Sequence, residues 1–260
     1  MSTWTFISES GETRSHRQEK MDMQIIRERK FTASREMEER ARSIFDLHCF
    51  ADSSHPKGYI SSIYYDTYHL KHYYEKIEGD NLKRKFRVRW YDDEFCRPDD
   101  TVSAFIEIKY RIGAGRRKVR HKISVPKNII ASAPLEDGRL LDLLYDHSHQ
   151  VGDLIPLDLL PVVCISYERR RYVCKRTGGG VCIDVNIRGS RFNSNIFCAA
   201  NTVRSNMIVC EFKDPGLYDL PLAEELYHAG FKLRSFSKYG ECVSQILLGG
   251  APQFLARHVI

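Results

Sequence analysis

The sequence predicts an α+β fold built on an antiparallel sheet. Three observations carry that prediction. Several stretches alternate charged and apolar residues with period two, the pattern of strands with one polar and one apolar face. Turn residues such as Gly79-Asp80-Asn81 and Gly178-Gly179-Gly180 separate them. A few other segments carry helical spacing instead. At 260 residues the chain can bury about three quarters of its unfolded surface. Its 42% hydrophobic and 28% charged residues exclude wholesale disorder, collagen and coiled coil.

Residues 1–22 are polar and aperiodic, and are expected to be a mobile N-terminal extension to one domain over 23–260. A strand follows at about 24–31. Thr32 or Ser34 can cap a helix over about 33–50, where Met37, Ala41, Ile44, Phe45 and His48 recur at helical spacing. Asp52–Gly58 is a loop, 59–65 a strand ending in Asp66-Thr67, and 71–77 a further strand. The basic strand 83–91 precedes a connection and strands at about 102–111 and 117–125. The Leu-rich stretch 138–160 reads as one or two short helices. Strands resume at about 162–174, 181–188 and 206–213. Asp214-Pro215-Gly216 breaks the last, and Asp219 caps a helix to about Ala229, with Pro221 in its first turn. The total is eight or nine strands and three or four helices.

No stretch approaches the roughly 18 apolar residues that span a bilayer, and the N-terminus lacks a signal-peptide core. Glu9, Glu12 and Glu19 argue against a transit peptide, so a cytoplasmic location is expected. None of the eight cysteines forms a C-x-x-C pair or a zinc-finger grouping, which predicts reduced thiols packed as small hydrophobes. There is no P-loop, and Gly113-Ala114-Gly115 is no dinucleotide fingerprint.

The formal charge is only +6, but its distribution is uneven. Residues 83–91 hold five cations and no acid, 108–122 hold no acid, and Arg169, Arg170 and Arg171 form a third cluster. Lys83, Lys85, Arg87 and Arg89 share one strand face and Arg84, Phe86, Val88 and Trp90 the other. Glu107, Lys109 and Arg111 oppose Ile106, Ile108 and Tyr110, and Lys118, Arg120 and Lys122 oppose Val119 and Ile123. Glu28 with Lys30, and Glu211 with Lys213, continue the pattern. Alternation alone fits either a flat sheet with a wet charged face or a closed barrel with charges inside. Glutamates on the cationic faces argue against an exposed stacking platform for nucleic acid.

Six short motifs in chain order resemble one family. They are Tyr64-Tyr65-Asp66-Thr67, Lys83–Tyr91, Ile106-Glu107-Ile108-Lys109, Tyr167-Glu168-Arg169, Cys210-Glu211-Phe212-Lys213 and Ser235-Phe236-Ser237-Lys238-Tyr239. Over roughly 24–243 they resemble the VTC domain, the polyphosphate polymerase domain of vacuolar transporter chaperones and soluble bacterial relatives, within the triphosphate tunnel metalloenzymes. The resemblance implies an antiparallel β-barrel tunnel of about eight strands, with a cationic interior and flanking helices. It implies metal-dependent transfer of the terminal phosphoryl group of ATP onto polyphosphate, whereas relatives hydrolyse triphosphate or cyclise ATP. A catalytically weak module that only grips polyphosphate or nucleotide is the non-enzymatic alternative.

By that resemblance Arg87, Arg89, Lys109, Arg169 and Lys238 are the expected catalytic cations. Lys30, Lys85, Lys122, Arg120, Ser237 and Arg234 are the expected substrate contacts. Glu211, with Glu28 or Glu107, is expected to hold Mn²⁺ or Mg²⁺. The chain departs from the family pattern at Gly180 and Ser235, where basic residues are usual. ATP, triphosphate or polyphosphate is the expected partner. A membrane partner could supply the spanning segment that membrane-bound relatives carry, and the sequence leaves the oligomeric state open.

Overall fold

The computed structural model describes residues 28–92, 97, 99–113, 115–197, 201–213 and 221–248. The predicted extension 1–22, the first residues of the predicted strand 24–31, and the break and cap at 214–219 lie outside them.

Among the described residues, eleven strands form one antiparallel sheet. They are β1 (Arg29–Ser34), β2 (Cys49–Ala51), β3 (Lys57–Thr67), β4 (Leu82–Asp92), β5 (Thr101–Ile112), β6 (Gly115–Pro126), β7 (Leu159–Cys174), β8 (Gly180–Phe192), β9 (Val203–Arg204), β10 (Met207–Phe212) and β11 (Lys232–Leu233). The order across the sheet is β11-β1-β10-β8-β7-β3-β4-β5-β6, with β2 paired to β7 and β9 to β8. The helices are α1 (Glu38–His48), α2 (Lys71–Ile77), α3 (Lys127–Ser132), α4 (Gly138–Tyr145), α5 (Ser148–Val151), α6 (Pro221–His228) and α7 (Lys238–Leu247).

The apolar parity of the strands decides which way the sheet faces. Ile44 and Phe45 of α1 and Leu222 and Leu226 of α6 pack with Phe31, Ile183, Cys210 and Phe212 over one half of its outer face. Ile130 of α3 and Leu140 and Leu144 of α4 pack with Phe86, Val88, Trp90, Ile106 and Ile108 over the other half. With helices on the apolar face, the charged parity is turned inward. A third cluster, including Tyr64, Tyr167, Ile187, Tyr239 and Val243, lies where α7 meets the inside of the curl.

Two expectations are corrected. The sheet is not closed into a barrel: β11 and β6 end the strand order without pairing to one another. Instead Arg116 of β6 donates to Glu28, just before β1, at 2.5 Å, so a side-chain ion pair spans the seam among the described residues. Edge strand β6 carries Arg116, Arg117, Lys118, Arg120 and Lys122, a charge density that discourages backbone pairing.

The predicted strand at 71–77 is helix α2. Its aromatic Tyr73-Tyr74 pair has strand propensity, but a remote carboxylate overrides it. Asp66, fully buried at the end of β3, accepts from the backbone N–H groups of Thr67, His72 and Tyr73 at 2.7, 2.9 and 2.9 Å. It also accepts from the Tyr239 hydroxyl at 2.7 Å, which ties α7 to the same point.

Asp66→Ala would leave three amides and a hydroxyl buried without their acceptor. The expected loss is roughly 3 kcal/mol or more in urea unfolding, with Asp66→Asn losing less. A loss below about 1 kcal/mol for the alanine variant would contradict this role for Asp66.

Candidate functional site

The inward faces enclose a cavity of about 500 Å³. Among the described residues, sixteen lysines and arginines line it against three carboxylates, Glu28, Glu107 and Glu211. The pairing register explains how a modest net charge becomes so concentrated. Lys83, Arg111 and Arg116 lie abreast on β4, β5 and β6. Lys85, Lys109 and Lys118 form the next row, and Arg87, Glu107 and Arg120 the third. Neighbouring strands sit ~4.8 Å apart, so the middle row sets three lysines on adjacent strands.

The arginines on this wall are held by one buried acid. Glu107 accepts from Arg87 Nε at 2.8 Å and from its Nη2, and pairs with Lys118 Nζ at 2.6 Å and Arg120 Nε at 3.4 Å. Arg87 also donates to the Tyr64 hydroxyl at 3.1 Å, and Arg89 to Ser62 Oγ at 3.1 Å. Burial opposes ionisation of Glu107, but Arg87, Arg89 and Lys118 hold its carboxyl well below the usual range.

The facing wall comes from β7, β8, β10, β1 and the start of α7. Arg169 forks onto Asp184 through Nε and Nη2, both at 2.6 Å, and Nη2 reaches Glu211 at 2.8 Å. Lys238 pairs with Asp184 at 2.5 Å and Glu211 at 3.3 Å. Lys30 sits 3.4 Å from Glu211 and 3.2 Å from Glu28, and donates to the Phe236 carbonyl at 3.2 Å. Burial again opposes ionisation of Glu211, and Lys238, Lys30 and Arg169 outweigh it. The Tyr167 ring lies under Lys238, Arg169 and Arg89, at 4.5, 5.5 and 5.9 Å from its centroid.

Two lysines between these clusters have no ion-pair partner among the described residues. Lys85 donates to Ser237 Oγ at 2.7 Å, and Ser237 also caps α7 by accepting from the Gly240 amide at 3.1 Å. The amino end of α7 therefore faces the cavity with its partial positive charge. Burial, then Lys30, Lys76 and Arg87, push the Lys85 ammonium down to about 7. Arg87 first, and burial second, push Lys109 well below the ordinary lysine value.

Of the predicted site residues, Arg87, Arg89, Lys109, Arg169, Lys238, Lys30, Lys85, Arg120, Ser237, Glu211, Glu28 and Glu107 all line the cavity. Lys122 does not: it lies one row beyond, opposite Phe105, and is exposed. Arg234 does not either; its Nε donates to Thr32 Oγ1 at 2.6 Å outside the cationic wall. Sequence reasoning passed over Lys118, Arg116, Lys76 and the cavity tyrosines Tyr64 and Tyr167 as site residues. Lys118 could have been found, since it shares the parity of Arg120. Asp184 could also have been found, as a lone acid in the apolar run Val181-Cys182-Ile183-Asp184-Val185. At the two departures from the family pattern, Ser235 lines the cavity with a hydroxyl. Lys213, whose backbone donates to the Gly180 carbonyl at 3.3 Å, brings a cation beside Gly180.

Two sets of side chains at the cavity wall could meet a divalent ion. Cys182, Asp184 and Glu211 place ligand atoms within 4.8 Å of one another. Burial pushes the Cys182 thiol up to about 12, and both Asp184 oxygens are committed to Arg169 and Lys238, so this trio suits a hard cation poorly. Glu28 and Glu211 fit better, because they already flank one cation, the Lys30 ammonium. Glu107 shares no ion-pair partner with either among the described residues.

No curated protein matches the sequence significantly. Two solved structures resemble it at low identity. A candidate adenylate cyclase from Bacillus halodurans aligns at 16% identity, over 82% of this chain and 93% of that one, with a TM-score of 0.48. Another from Vibrio parahaemolyticus aligns at 9%, over 85% and 97%, with a TM-score of 0.40. Residues 7–247, nearly the whole chain, match the VTC domain, and the chain belongs to that family.

Proposed function

We propose that the cavity grips a run of phosphoryl groups and that the chain is a phosphotransferase making inorganic polyphosphate from ATP. The observation that supports this best is the Lys85–Lys109–Lys118 row. Two unit charges ~5 Å apart repel by roughly 3 kcal/mol at an effective dielectric of about 20. A fold that sets three lysines abreast, Lys118 paired with Glu107 but Lys85 and Lys109 with no acid partner among the described residues, suits a multiply charged anion lying across it. A phosphate run carries such charge at intervals and matches both lysine points and arginine forks. Simple hydrolysis of triphosphate uses the same grip and is the second reading.

Each group has a definite task in this account. Arg87 and Arg169 are oriented in advance by Glu107 and Asp184, so little freedom is lost when they meet phosphate oxygens. Lys85, Lys109 and Lys118 neutralise charge along the chain, and the amino end of α7 adds donors at Ser237 and Lys238. The terminal oxygen of a bound phosphate chain attacks the outer phosphorus of ATP; one P–O bond forms, the bond to ADP breaks, and ADP leaves. A water oxygen in the same position gives orthophosphate. Mn²⁺ or Mg²⁺ arriving with the phosphates would be held by Glu28 and Glu211 and supplies neutralisation of charge on the transferring group.

Incubation with ATP and Mn²⁺, followed by phosphorus NMR, separates the readings. Mid-chain polyphosphate signals are expected; orthophosphate alone would identify a hydrolase, and no change with tight binding would leave a module without turnover. Glu211→Gln keeps the side-chain size and removes one charge. It is expected to slow turnover by about 100-fold or more while triphosphate binds as well as before or better. Normal turnover in that variant would remove Glu211 from the reaction.

The depressed Lys85 value of about 7 gives a pH signature. Free lysine titrates near 10.4, so between pH 7 and 10 the unfolded chain binds more protons than the empty native cavity. Stability without ligand is therefore expected to rise across that window as Lys85 sheds its charge. Bound phosphate restores the charge, so triphosphate affinity should fall over the same window, with proton uptake on binding at pH 8. Calorimetry in buffers of different ionisation enthalpy measures that uptake, and Lys85→Met should lower it, leaving the share due to Lys109. Equal uptake in the variant would assign the proton elsewhere.

A further inference from the structure

A second cavity, about 730 Å³, is larger than the cationic one and adjoins it. It lies between α2, α7 and the β1–β11 edge, and it shares Lys76, Ser235, Phe236 and Ser237 with the cationic cavity. The segment Ser235–Ser237 is thus a common rim. The two spaces differ in character. Beyond the shared Lys76, the cleft has Lys232 and Arg234 as its cations among the described residues, with Glu241 among them. The Arg234 Nε is already given to Thr32. Much of the remaining wall is apolar, from Met37, Ile77 and Met207, or neutral and polar, from Ser34, Asn206 and Gln245.

We propose that this cleft is the nucleoside subsite, holding the base and ribose of a nucleoside triphosphate whose phosphates cross the Ser235–Ser237 rim into the cationic cavity. The inference rests on the phosphate reading above and deepens it. A nucleoside triphosphate has one strongly anionic half and one uncharged half. Putting the uncharged half among the cavity lysines would strip their water without replacing it. The cleft offers the complementary chemistry: thioether and aliphatic surface for the faces of a flat ring, and amide and hydroxyl groups for its polar edge. Its volume lies within the range of pockets that enclose small ligands, about 300–1,000 Å³. A chain of inorganic phosphate needs none of this neutral wall, so the cleft gives the protein a means of distinguishing its phosphate donor from its product.

The test is calorimetric titration of the full chain with ATP, inorganic triphosphate and long-chain polyphosphate. Two substitutions fill the cleft from opposite walls, Asn206→Trp and Ile77→Trp. Both positions are exposed, and the Asn206 carbonyl that accepts from the Arg35 amide is retained. Each variant is expected to weaken ATP at least tenfold and to leave triphosphate and polyphosphate within twofold, which also reports that it has folded. Unchanged ATP affinity in both variants would overturn the cleft assignment and leave the phosphate reading standing. Equal weakening of polyphosphate and ATP would make the cleft a path for phosphate instead, and would also overturn it. Failure of triphosphate to bind the unsubstituted chain would bring down the phosphate reading, and the nucleoside subsite with it.

Discussion

Repulsion among like charges on one enclosed surface is the constraint that the rest of the structure answers to. Among the described residues, sixteen lysines and arginines face a space of about 500 Å³ with three carboxylates among them. In water such a set would be screened within about 10 Å, but side chains packed around a small cavity shield one another far less. The consequences run in both directions from the same field. Glu28, Glu107 and Glu211 stay ionised in spite of burial, while Lys85 and Lys109 give up protons easily. A bound anion would relax such an arrangement.

Sustaining this field requires a scaffold that cannot turn itself inside out. Strand parity supplies it: moving β4 by one residue would bring Phe86, Val88 and Trp90 into the cavity and Arg87 and Arg89 under the helices. Hydrophobic packing on both halves of the outer face forbids the slip. The seam between β6 and β1 is the exception to backbone pairing. There the Arg116–Glu28 contact replaces a ladder, so the wall is continuous in charge where it is not continuous in hydrogen bonds.

The strands and their charged faces were legible in the sequence because period two is a local property, and it placed Lys83 to Arg89, Glu107 to Arg111 and Lys118 to Arg120 correctly on one face. What alternation could not decide was whether that face met water or the interior, since both are polar surfaces. The resemblance to the VTC domain pointed inward, and the helices over the apolar face bear that out, although the sheet does not close. Helix α2 was illegible for a different reason: its cap, Asp66, lies five residues before the helix, and its bond to Tyr239 joins residues 173 positions apart. Lys122 shows the limit of parity, which fixes a face but not the point at which a strand runs past the end of a cavity.

Arginine and lysine take separate parts in this wall, and the acids explain the division. Arg87 and Arg169 are each forked onto a buried carboxylate, with planar groups that also touch Tyr64 or Tyr167. Such an arginine keeps its charge at any accessible pH and holds one orientation, which suits the fixing of a phosphate's position. Lys85 and Lys109 have no such partner among the described residues, and their charge depends on what lies beside them. In the proposed polyphosphate reading, a phosphate chain sliding past them would meet sites that charge as it arrives and relax as it leaves. Were every cation paired like Arg169, each phosphoryl group would have to break an ion pair to advance; were none paired, nothing would hold the register at the reacting end. Fixed arginines on both walls, with adjustable lysines between them, would meet the two demands of the proposed reaction, in which a chain is held firmly at one point and moved through the others.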